Sequence, residues 1–104
     1  MAQTLDGSIY PQAVRFTLGG SNVQTQVNIP TAATSLSVRS FTNDLKVEFS
    51  GSDGGTAGSN FITVDADSWA EMSLMDGIRE SKGVTAVYIS SATGSTVVEC
   101  MIEG

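Results

Sequence analysis

The chain has 104 residues, eleven acidic and five basic side chains for a net charge of −6, no histidine and one cysteine. That length bounds it to one domain, and an acidic chain with scattered cations excludes a nucleic-acid partner, whose phosphates call for clustered Lys and Arg. Without histidine or a second cysteine, the usual catalytic and metal-binding sets are missing, and no cofactor is expected.

Residues 1–12 are small and polar, with Tyr10-Pro11 the one conspicuous pair. They read as an N-terminal arm preceding a single domain over 13–104. No basic region followed by an apolar run opens the chain, and no segment approaches the ~20 apolar residues that span a bilayer. The expectation is a chain without signal peptide or membrane contact, made in a cytoplasm.

From residue 14 onward the pattern is apolar alternation cut by Gly, Ser, Thr and Asn. Val14 to Leu18 is the first candidate strand, ended by Gly19-Gly20. Val23 to Ile29 is the second, stopped by Pro30, which cannot donate to a ladder. Leu36 to Phe41 and Leu45 to Phe49 follow, with Leu36 and Val38 on one face. The turn residues Asn43-Asp44 between them suggest a hairpin. Residues 50–60, SGSDGGTAGSN, read as a flexible loop or a long hairpin tip, with the least constrained backbone in the chain. Phe61 to Val64 and Trp69 to Leu74 resume the alternation. Met75 to Gly83 is the one plausible non-strand insertion. Val84 to Ile89 and Thr96 to Ile102 close the chain as a second expected hairpin. A period of two places successive side chains on opposite faces. Seven or eight such short strands predict an all-β fold, an antiparallel β-sandwich or jelly-roll-like barrel.

Few residues invite chemistry. Asp65 and Asp67, with Asp53 and Asp76 in other turns, offer oxygens of the kind calcium takes. The run then continues with Ser68 and Trp69 rather than further ligands, and Asp in turns also bonds its own backbone. Two carboxylates can also serve a glycosidase, but that requires a cleft and one raised pKa. The glycine loop lacks the spacing of a phosphate cradle. Cys100, in the last strand, reads as a small buried apolar group. Trp69 reads as a half-buried core or interface residue. Met75 and Ile78, beside Arg79, are apolar residues in a polar insertion and so candidates for contact with a sister subunit. Tyr10 and Pro11 are candidates for contact with a neighbour, by strand addition or by lying across it.

The segments VQTQVNIPTAATSLSVRSF, LKVEFSGSDGGTAGSNFITV and VTAVYISSATGSTVVECMIEG together resemble the small β-sandwich virion proteins of tailed bacteriophages. The resemblance covers residues 14–104 and lies in the order of strands and turns. It implies a non-enzymatic structural component of the particle, first of all a capsid decoration or cement protein bound to the major capsid protein or another virion protein. It also implies a homo-oligomer, a trimer being frequent where shell lattices offer threefold positions. A neck, tail or fibre accessory protein is the alternative within that class. A carbohydrate- or calcium-binding β-module is the alternative outside it.

Overall fold

The structure, a computed structural model, describes residues 2–74 and 85–104. It is all-β, with nine strands and no helix among the described residues: β1 (Gln3–Thr4), β2 (Gln12–Thr17), β3 (Thr25–Asn28), β4 (Ser35–Arg39), β5 (Leu45–Glu48), β6 (Ile62–Val64), β7 (Ala70–Ser73), β8 (Ala86–Ser90) and β9 (Val97–Glu103). They form a five-stranded sheet in the order β1-β3-β8-β5-β6 and a four-stranded sheet in the order β2-β9-β4-β7. Every pairing is antiparallel except that of β1 with β3.

Alternation decides which residues the two sheets bury between them. On β9, Val98, Cys100 and Ile102 point inward, while Val97, Glu99, Met101 and Glu103 do not. Leu36 and Val38 on β4 are fully buried, as the sequence predicts, and meet Leu45, Val47, Val27, Val87 and Ile89 of the five-stranded sheet in one core. Each such side chain taken out of water contributes about 1.5–3 kcal/mol. The core combines leucines with valines and isoleucines, whose β-branching suits a pleated surface.

Three sequence expectations are corrected. Neither expected hairpin exists: β4 and β9 lie in the four-stranded sheet, β5 and β8 in the five-stranded one. A two-residue I′ turn needs positive φ at both central residues. Asn43 and Asp44 are not among the residues with positive φ, which are Asn22, Asp67, Ser95 and two glycines. The two connections instead cross between sheets and bond to each other. Asn43 Nδ2 donates to Thr96 Oγ1 (3.1 Å) and Ser91 Oγ to the Asp44 carbonyl (2.8 Å). Of the strands adjacent in sequence, only β5 and β6 pair.

The first twelve residues are not a separate arm. β1 pairs with β3, the Leu5 amide donates to the Asn28 carbonyl (3.1 Å), and the Leu5 side chain enters the core at 4% exposure. Tyr10 packs against that core with its hydroxyl buried, and Gly104 lies so close to its ring that a Cβ there would sit 2.8 Å from it. The apolar residues Leu5 and Tyr10 hold the segment down.

The glycine-rich segment is a hairpin tip between β5 and β6, as expected, but its backbone is anchored. It folds back over the outer face of the five-stranded sheet, where Gln24 and Glu48 become buried beneath it. Gln24 Nε2 donates to Glu48 Oε1 (2.9 Å), and the amides of Ser52 and Gly58 donate to Gln24 Oε1 (3.2 Å) and Glu48 Oε1 (3.0 Å). Backbone bonds from Gly54 to Gln24 and from Ala57 to Asn22 complete the tie. A Cβ on Gly58 would lie 2.9 Å from Glu48 Oε2, so a larger residue there would make the carboxylate shift.

Candidate functional site

The outer face of the four-stranded sheet carries a row of side chains drawn from all four strand positions. Register sets Arg15 of β2 and Arg39 of β4 directly opposite Glu99 of β9. All three occupy outward positions of their strands, so their side chains meet above the sheet. Arg15 Nε donates to Glu99 Oε2 (3.0 Å), with Arg15 Nη2 on the same oxygen, and Arg39 Nε donates to Glu99 Oε1 (2.7 Å). The hydrogen bonds from Arg15 and then from Arg39 hold the Glu99 carboxyl below its ordinary value of 4.5.

Two aromatic rings flank the second guanidinium. Arg39 Cζ lies 4.4 Å from the centroid of Phe41 and 4.2 Å from that of Trp69. Stacking between rings fixes a planar cation and removes water from its faces while leaving its edge open. The rings are themselves half exposed, Trp69 at 49% and Phe41 at 54%, and Val97 stands beside them at 43%. The Arg39 side chain is 28% exposed and that of Arg15 69%. The Arg15–Glu99 pair separates two shallow grooves, one of about 390 Å³ reaching Trp69 and Met101, the other of about 340 Å³ reaching Phe41 and Val97.

Beneath Glu99 the chain turns inward, and Cys100 faces the core at 1% exposure. Burial pushes its thiol up to about 12, so it stays protonated and unreactive.

The residues singled out from sequence fall in several places. Tyr10 is half buried against the core and Pro11 is exposed at the start of β2. Met75, Ile78 and Arg79 lie outside the described residues. Asp65 and Asp67 occupy the turn between β6 and β7, where the Ser68 amide donates to the Asp65 carbonyl (3.2 Å) and Asp67 takes a φ of 63°. Among the described residues no three acidic or cysteine side chains converge to hold a metal ion. Trp69 is more exposed than a core residue and belongs to the row just described. Arg15, Arg39, Phe41 and Glu99 escaped sequence reasoning. The alternation marks them as outward, but their partners lie 84 and 60 residues apart in the chain.

No protein-family model, curated protein or solved structure matches the chain. Its function rests on its own chemistry. No helix among the described residues is long and apolar enough to cross a membrane.

Proposed function

We propose that the chain is a non-enzymatic structural protein of a bacteriophage virion, acting first as a capsid decoration protein that joins neighbouring shell subunits. The observation that supports this most is the exposed aromatic and arginine row on one sheet face. Trp, Phe, Met and Arg are the residue types enriched at the buried centre of protein interfaces, and here they stand together on a rigid support. The charged groups of that row are engaged with each other rather than poised for proton transfer. A clamp of this kind stabilises an assembled shell by binding it and not its separated parts, so several modest contacts suffice. The major capsid protein or another virion protein is the expected partner, and the virion the expected location. A homo-oligomer, such as a trimer on threefold positions, would suit the role.

The test is co-sedimentation with particles of the encoding phage from which the protein has been stripped, together with the mass of the free protein by light scattering. Saturable rebinding that raises the temperature or denaturant resistance of the shell is the expected result. Particles equally stable with and without the chain would remove the decoration role and leave a neck, tail or fibre position. A second reading is favoured by one observation: Trp69 borders a groove that also presents Arg39 and Glu99, an arrangement that suits a sugar ring. Quenching of Trp69 fluorescence by soluble glycans, with no particle binding, would establish it.

A further inference from the structure

Register lays out the outer face of the four-stranded sheet in rows that run across β2, β9, β4 and β7. One row is Arg15, Glu99 and Arg39, with the Trp69 ring against Arg39. On one side of it, Ala13, Met101, Ser37 and Glu71 form a second row. On the other side, Thr17 stands opposite Val97, and Phe41 shares a groove with Val97. The charges are mixed, Glu71, Glu99 and Glu103 against Arg15 and Arg39, so the face as a whole selects neither an acidic nor a basic occupant. Its order does select one. A two-fold axis parallel to the strands, between β9 and β4, lays the face on a copy of itself with β2 over β7 and β9 over β4 of the copy, and each row meets its own reverse. Glu99 then faces Arg39 of the copy, Arg15 lies over the Trp69 ring, and Val97 meets Phe41, each contact being made twice. Glu71 lies over Ala13, one row from Arg15 of the copy, and Glu103 over Ser35, so no two like charges are opposed.

We propose that the outer face of the four-stranded sheet binds the same face of a second copy of this chain, about a two-fold axis parallel to β9 and β4. The inference deepens the proposed function, on which it rests for the role of this face as a protein interface, by naming the occupant. Sheets that pack face to face keep their strands within about 30° of each other, and an axis along the strands permits that arrangement. An axis across the strands fails on charge. Along the first row it sets Arg15 on Arg15 and Glu99 on Glu99, and midway to the next row it sets Val97 on Glu103. The paired groups also have capacity to spare. Among the described residues Arg39 spends only its Nε–H, on Glu99, out of five N–H donors. Glu99 Oε1 accepts only that bond, and a carboxylate oxygen accepts two. An extended segment of one sign meets both signs in the first row, whereas a copy related by this axis answers every row at once.

The experiment is sedimentation equilibrium of the full chain from about 10 μM to about 1 mM, with isotope-filtered nuclear Overhauser spectra of a sample mixed from labelled and unlabelled chains. The expected mass is that of two chains, and the expected contacts between copies run from the Val97 methyls to the Phe41 ring and from the Met101 methyl to Ser37. Val97→Asp, which sets a carboxylate against that ring, should lower the association constant at least tenfold, and so should Trp69→Ala. Both variants should keep the far-UV spectrum of the parent, because the two side chains point away from the core. Thr63→Asp, on the other sheet, should leave the mass at two chains. A single chain at about 1 mM, a mass of three or more chains, a dimer that survives Val97→Asp, or contacts between copies that map to another face would each overturn the proposal. A chain that stays single in solution yet rejoins stripped particles keeps the proposed function and loses this dimer. A dimer with the expected contacts that ignores the particles keeps this interface and loses the decoration role.

Discussion

Glu99 sits where two strands on either side each present an arginine, and its carboxyl is lowered by their hydrogen bonds. A carboxyl lower in the folded than in the unfolded chain favours folding above its ordinary value of 4.5, and that contribution disappears as pH falls through the folded value. Glu99→Gln should therefore be less stable than the parent at pH 7, with the gap closing below pH 4.5, as denaturant midpoints would record. Cys100 behaves in the opposite sense. Its thiol is raised from 9.0 to about 12, so the unfolded chain ionises first and stability is lost as pH rises from 9 towards 12. Cys100→Ala should remove that slope while lowering stability near neutrality through the space it leaves. Native protein at pH 8 should resist iodoacetamide until denaturant is added, which mass spectrometry would show.

At the scale of elements, the N-terminal strand and the glycine-rich tip both do more than their composition announces. Leu5 is fixed in the core by a two-residue strand and one further backbone bond to β3. Leu5→Ala should cost about 2–5 kcal/mol, the range for a buried leucine, and deleting residues 1–5 should lower the thermal midpoint at least as far. An unchanged midpoint would return the segment to the status of a free arm. In the tip, Gly58 lets its amide reach the buried Glu48 carboxylate. Gly58→Ala should displace the Glu48 carboxylate and weaken the bond it accepts from the Gly58 amide, at a cost of about 1 kcal/mol. Amide exchange should then quicken in Ser52 and Ala57 while β4 and β9 stay protected.

For the molecule as a whole, charge and topology set the behaviour. Eleven acids against five bases make like copies repel at long range at neutral pH, and the sequence isoelectric point is about 4.2. Static light scattering should rise as pH is lowered towards that value, and 0.3 M salt at pH 7 should reproduce part of the rise by screening the same repulsion.

The sequence by itself determined eight of the nine strands, the apolar residues they turn inward and the buried thiol. Period-two alternation needs only neighbouring residues, and a buried face tolerates no one-residue slip. Val98, Cys100 and Ile102 could thus be placed inside without knowing what they touched. Pairing was another matter. Strand order depends on which sheet each connection enters, and the loop at 40–44 crosses over because Ser91 and Asn43 bond it to the loop at 91–96, not because of any local turn signal. The same reason hid the candidate site. Arg15, Arg39 and Glu99 are legible one at a time as outward residues, but only the order β2-β9-β4 makes them neighbours. Local chemistry chose the faces, and tertiary structure, by deciding which faces adjoin, made a surface of them.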